Sequence, residues 1–229
     1  MISVGSDVDE LHTLEVQDGL RVSARLALPA AARACYVLAH GAGAGMDQPF
    51  LRATATELGA LGIATLRYQF PYMERRSRRP DPAPLCQATV RAAVAAAARL
   101  APALPLFAGG RSFGGRMTSQ AQALEPLAGV RGLAFLGFPL HPAGRASDAR
   151  AAHLAQVHIP MLFLQGSRDA LAERSHLEAL VRRLGARATL SLVDEADHSF
   201  HVPARTGRKD AEVRSALLRV LCAWLDSLL

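Results

Sequence analysis

The sequence predicts one α/β domain: a single, mostly parallel sheet of about eight strands, helices on both faces and a minimal cap. Three observations predict it. Apolar runs of strand length alternate with helix-length amphipathic segments, the pattern of a sheet covered on both sides. Half of the 229 residues are hydrophobic (50%), enough for a large core. No internal repeat, long polar linker or low-complexity tail divides the chain, so residues 1–229 read as one domain.

The elements follow in order. Leu11 to Val16 and Leu20 to Leu28, broken by Asp18-Gly19, read as a hairpin that adds an antiparallel edge. Cys35 to Ala39 is a short buried strand ending at His40-Gly41. Asp47 is the expected N-cap of a helix that opens at Pro49, runs to Ala60 and is stopped by Gly62. Ile63 to Leu66 is the next strand, and a polar, arginine-rich loop spans Arg67 to Pro84. Residues 85–100 are Ala-rich, which suits a helix lying close on a sheet. Leu104 to Ala108 reads as a strand and Phe113 to Leu124 as a helix. Gly132 to Phe138 and Met161 to Leu164 read as buried strands, with a short helix from Asp148 to Gln156 between them. Leu171, Leu177, Leu180, Val181 and Leu184 stripe a helix stopped by Gly185. Ala188 to Val193 is the last strand, and Val213, Leu217, Leu221, Trp224 and Leu228 stripe a C-terminal helix. Any cap must come from residues 68–84 or 139–157.

Composition excludes several classes. No run reaches the roughly 18 apolar residues that span a bilayer. Residues 1–10 carry Asp7, Asp9 and Glu10 and no basic start, unlike a secretory signal. The three cysteines, Cys35, Cys86 and Cys222, are scattered and odd in number, which points to a reducing cytoplasm. None has metal-ligand spacing. The formal charge is +6, but the arginines are spread along the chain and Lys209 is the only lysine. Their one cluster, Arg75 to Arg79, lacks interleaved aromatics and reads as a solvated loop; a weaker reading has it favouring anionic substrates. Neither a nucleic-acid nor a membrane partner is expected.

The chemistry concentrates at Gly109-Gly110-Arg111-Ser112-Phe113-Gly114-Gly115. This G-x-S-x-G run lies between an apolar strand and a helix, the context that lifts a serine hydroxyl to the top of a sheet. Glycines two residues to either side relieve crowding in so tight a turn. A serine needs a base, and the base an orienting acid. Asp169 and His198 follow in that order, each after the carboxyl end of a strand, where an open α/β sheet gathers its site. Asp169 could instead cap a helix from Ala170. His201 competes with His198, while Asp194 and Asp197 are rival acids or turn residues. His40 reads as structural, orienting the loop after it. His12, His158 and His176 read as surface or packing residues. His141 and His153 fall in the candidate cap, facing substrate or solvent. For the oxyanion, the N–H after the nucleophile is that of Phe113, and the loop His40 to Gly45 offers Ala42, with Gly43 next. That loop lacks the G-K-[ST] of a P-loop.

Taken together the chain resembles the α/β hydrolases of the dienelactone-hydrolase-like type. It is most similar to the subgroup containing testis-expressed protein thirty and the third subunit of the non-specific lethal complex. The matching stretches are LAHGAGAGMDQPF (38–50), RYQFPYM (67–73), GGRSFGGRMTSQ (109–120), GFPLHPAGR (137–145), FLQGSRD (163–169) and DHSFHVPARTGR (197–208). The resemblance implies the α/β-hydrolase sheet and the set Ser112, Asp169 and His198. It also implies Arg67, Phe70, Tyr72, His141 and Phe200 as pocket or scaffold positions, with core packing the alternative for Tyr72 and Phe200. Dienelactone hydrolases proper use a cysteine where this chain has Ser112. The expected function is a cytoplasmic serine hydrolase of a small ester or thioester, needing no cofactor and no metal. The alternatives are a binding or scaffold module, or a peptidase or acyltransferase with the same three residues.

Overall fold

Continuous apolar runs set the centre of the sheet. In the computed structural model, which describes residues 9–229, β3 (Ala34–Ala39), β4 (Ile63–Tyr68) and β7 (Met161–Gly166) are buried at every residue. With β5 (Leu106–Arg111), β6 (Val130–Leu136) and β8 (Ala188–Val193) they form a parallel array. The hairpin of β1 (Asp9–Gln17) and β2 (Leu20–Ala27) joins it antiparallel through β4. The eight strands lie in the order β1-β2-β4-β3-β5-β6-β7-β8. Asp18 and Gly19 both have positive φ (48° and 74°), the geometry that matches a two-residue hairpin turn to strand twist.

Strand periodicity divides the core in two. Cys35 and Val37 face one side of the sheet, with Phe135 and Phe163. There α3 (Ala83–Leu100), α4 (Phe113–Leu124) and α5 (Arg174–Leu184) pack through Val90, Met117 and Leu177. Tyr36 and Leu38 face the other side, under α1 (Pro49–Ala60) and α6 (Asp210–Asp226), which contribute Leu51, Leu58, Leu217 and Leu221. Burying each such side chain stabilises the fold by roughly 1.5–3 kcal/mol. One turn of helix, α2 (Pro71–Glu74), interrupts the arginine-rich loop, and residues 149–156 are 3-10 helical.

Several boundaries differ from expectation for tertiary reasons. Gln48, not Asp47, caps α1, its side chain accepting from Leu51 N–H at 3.2 Å. Asp47 instead pairs with Arg25 at 3.1 Å. Leu171 precedes α5 rather than opening it. β4 continues past Leu66 to Tyr68, because β2 and β3 pair with it on both sides. Arg67 therefore lies in the sheet rather than in a loop. It is 2% exposed, donates to Met46 O at 3.1 Å and pairs with Asp9 and Asp47. That makes it a scaffold residue that ties hairpin, sheet and the approach to α1. Replacing Arg67 by alanine opens a hole and frees both carboxylates. We expect a loss of about 2–4 kcal/mol, read as a lower urea midpoint at unchanged slope.

Candidate active site

The turn between β5 and α4 is a single residue, Ser112, with φ 49° and ψ −115°. A residue with a Cβ is strained there by about 1–3 kcal/mol. Two backbone bonds hold it: Ser112 N–H donates to Leu136 O and Arg116 N–H donates to Ser112 O, each at 3.1 Å. The flanking glycines are there for room. A Cβ on Gly114 would lie 2.6 Å from His40 O and 2.7 Å from Ala39 Cβ, and one on Gly110 would run into the Ala39 carbonyl.

The structure brings Ser112, His198 and Asp169 together from the ends of β5, β8 and β7. His198 Nε2 lies 2.8 Å from Ser112 Oγ and His198 Nδ1 lies 2.6 Å from Asp169 Oδ2. The Asp169 side chain is fully buried (0% exposed), so its charge needs partners. Leu171 N–H donates to its Oδ1 at 2.7 Å and Gln165 Nε2 donates to Oδ2. Gln165 is fixed in turn by accepting from Phe138 N–H at 2.8 Å. The capping alternative for Asp169 is thus partly realised, since one oxygen serves the turn before α5 while the other meets His198. The rivals are occupied elsewhere. His201 pairs with exposed Asp210 at 2.9 Å. Asp197 accepts from Ser199 and His201 N–H (2.7 and 3.0 Å), and Asp194 accepts from Ser167 Oγ at 3.3 Å.

The loop after β3 is braced from below. His40 is 0% exposed; its Nδ1 donates to Gly41 O at 2.7 Å and its Nε2 accepts from Phe70 N–H at 3.1 Å. Burial lowers its pKa to about 4, with the Gly41 carbonyl working weakly the other way. Phe70 and Tyr72 pack edge-on against it at 4.9 and 6.0 Å between ring centroids, and Phe113 packs edge-on against those two at 5.5 and 6.4 Å. Gly43 N–H donates to the Tyr72 hydroxyl at 3.2 Å. Gly43 is therefore committed to the loop's own architecture, and Tyr72 is a buried brace rather than a cleft residue. The N–H groups of Ala42 and Phe113 have no partner among the described residues. Both residues line the same cleft as Ser112.

That cleft has a volume of about 470 Å³. Both expected cap segments reach it, through Pro80, Asp81 and Ala83 on one side and Pro139 and Arg150 on the other. His141 does not: it is buried, its Nδ1 donating to Pro142 O (2.8 Å) and its Nε2 accepting from Glu173 N–H (3.3 Å). His153 is half-buried and does not line the cleft; its Nε2 meets Ser119 Oγ at 2.8 Å. Phe200 stacks on Phe50 (6.0 Å, 11° between planes) in a separate hollow beside Arg111. Sequence reasoning missed Arg116, Gln120 and Arg150 in the lining and Gln165 behind Asp169. Arg116 was legible in principle, since i+4 from Ser112 is the same helix face.

Comparison with known proteins bears on this arrangement. Residues 32–226 match the family model described as an alpha/beta hydrolase domain. Among solved structures, a dienelactone hydrolase from Anabaena variabilis superposes with TM-score 0.78 at 21% identity, covering 96% of this chain and 97% of that one. A lidless α/β serine hydrolase from Xanthomonas campestris does so with TM-score 0.72 at 22% identity, covering 94% of each. An esterase domain from Rhodothermus marinus gives TM-score 0.71 at 18% identity, covering 94% and 96%.

Two expectations follow from the geometry. Gly114→Ala should cost about 1–3 kcal/mol or more, because the methyl group meets backbone rather than a movable side chain; chemical denaturation measures it. The second concerns acid. His40 takes a proton near 6.5 when unfolded but only near about 4 when folded. Between those values the unfolded chain binds more protons, so stability rises with pH across the window and falls as pH drops from 6.5 to 4. His40 alone accounts for about 3 kcal/mol of that loss. Melting temperatures over this range should fall more steeply for the wild type than for His40→Gln.

Proposed function

The chain belongs to the alpha/beta hydrolase domain family, and on that premise we propose that it is a serine hydrolase cleaving a small carboxylic ester or thioester through an acyl-enzyme. The observation that carries this reading is the hydrogen-bonded run from Asp169 through His198 to Ser112, with distances of 2.6 and 2.8 Å. Ser112 Oγ attacks the carbonyl carbon as His198 Nε2 takes its proton. Asp169 keeps the ring in the tautomer that leaves Nε2 free and stabilises the imidazolium that forms. The Phe113 and Ala42 N–H groups receive the developing oxyanion, an effect whose removal typically costs about 100- to 1000-fold. His198 then returns the proton to the departing alcohol or thiol. Water, deprotonated by the same nitrogen, releases the acid and restores Ser112.

The open cleft suits a small substrate, as does the short cap. One structural neighbour, the domain from Rhodothermus marinus, is an esterase, which is in keeping with an ester rather than an amide. The finer membership, in the subgroup with testis-expressed protein thirty, rests on the order of the sequence motifs. The cytoplasmic location rests on three free, buried cysteines. Among the described residues no helix is long and apolar enough to cross a membrane.

The test is direct. Wild-type protein should turn over activated short-chain esters and be labelled at Ser112 by a fluorophosphonate. Ser112→Ala should lose labelling and about a million-fold in turnover if the three residues act as a unit. A folded wild-type protein that does neither would remove the proposal.

A further inference from the structure

The inference here rests on the reading of Ser112 as nucleophile and adds the chemistry of what it meets. Five residues in the cleft lining carry polar or charged ends: Asp81, Ser112, Arg116, Gln120 and Arg150. Asp81 is the acid among them, and it is already paired with Arg75 through Oδ1. Arg116 and Arg150 have no carboxylate partner among the described residues. The Arg116 Nε is buried with no hydrogen-bond partner among the described residues. Burial first, and the nearby positive charge of Arg150 second, pull the Arg116 guanidinium below its ordinary pKa. Two like charges half-buried in one cleft repel each other, a cost that a bound anion removes.

We propose that this cleft takes an ester or thioester carrying one carboxylate, held by Arg116 and Arg150 while its carbonyl sits over Ser112. The geometry supports a fixed distance between the two ends of such a substrate. Arg116 is four residues along α4 from Ser112, about 6 Å by helical rise and on the same face. Its guanidinium carbon lies 5.8 Å from the centroid of the Phe113 ring, which steadies the planar group. Planar guanidinium donors match a carboxylate two bonds at a time. Asp81 Oδ2, buried in the cleft wall without a hydrogen-bond partner among the described residues, disfavours a second negative charge, so a monoanion fits better than a dianion. The charge comes from helix and cap residues, not from the Arg75–Arg79 run, whose first member is engaged by Asp81.

The experiment compares two activated esters of equal reach: the 4-nitrophenyl half-ester of glutaric acid and its neutral methyl ester, with the spontaneous rate subtracted. Wild type should favour the anionic ester by about tenfold or more in kcat/KM, mostly through KM. That preference should shrink as salt is raised. Arg116→Gln and Arg150→Gln should each cut the anionic-to-neutral ratio several-fold, with fluorophosphonate labelling of Ser112 showing that each variant keeps a folded site. Equal handling of both esters by wild type overturns the anion proposal and leaves the serine-hydrolase reading standing, as does an unchanged ratio in both variants. No turnover of either ester together with no labelling of Ser112 overturns both.

Discussion

At Ala39 and His40 the end of β3 and the elbow after β5 approach so closely that no side chain fits between them. The contact is backbone against backbone: Gly110 faces the Ala39 carbonyl, and Gly114 faces the His40 carbonyl. Because one strand end carries Ser112 and the other the loop from His40 to Gly45, the contact fixes the separation of the two groups that the proposed reaction uses. Such separation is worth a great deal, since a misplacement of about 1 Å can cost a hundredfold in rate. His40 extends the same constraint. With one ring nitrogen on Gly41 and the other on Phe70, it joins the loop to the segment after β4. Elbow, loop and aromatic brace thus form one body, and the strain at Ser112 is borne by all of it.

A second close approach sets Asp169 against His198. A Cβ on Gly166 would run into the carbonyls of Ala196 and Asp197, so the ends of β7 and β8 also meet through glycine. This brings the turn that carries Asp169 under the turn that carries His198. A fully buried carboxylate would be costly alone. Here Gln165, Leu171 and His198 all donate to it. Gln165 is itself held by Phe138 N–H, which ties the end of β6 into the same chain of bonds. The Ser112 hydroxyl is therefore oriented by four consecutive strand ends rather than by any one loop.

Much of this is legible in sequence because it is local or periodic. Apolar runs gave the strands, and the order Ser112, Asp169, His198 at strand ends gave the three residues that meet. What was not legible depends on partners distant in sequence. Asp47 has the chemistry of an N-cap, but Arg25 on a neighbouring strand competes for it and Gln48 caps α1. Arg67 reads as loop until β2 and β3 are seen on either side of it. Tyr72 looks like a substrate residue until its hydroxyl is found on Gly43 N–H. The irregular cap segments carry no period, so Pro80, Asp81 and Arg150 could be assigned to a region of chain but not to the cleft.

The positive charge shows the same dependence on tertiary context. Four arginines spread through the sequence donate to carbonyls at or just beyond the carboxyl ends of helices, the end that favours positive charge. Arg33 reaches Leu61 O after α1; Arg91 reaches Ala121 O and Glu125 O at 2.6 and 2.9 Å at the end of α4. Arg131 reaches Leu228 O at 3.3 Å beyond α6, and Arg187 reaches Val157 O after the 3-10 segment. The chain has Lys209 as its only lysine, so arginine takes this role throughout, and its planar fork suits paired carbonyls. Part of the +6 charge is therefore structural, spent on closing helix ends. Against that background Arg116 and Arg150 stand apart: they close no helix, pair with no carboxylate among the described residues, and face the cleft beside Ser112.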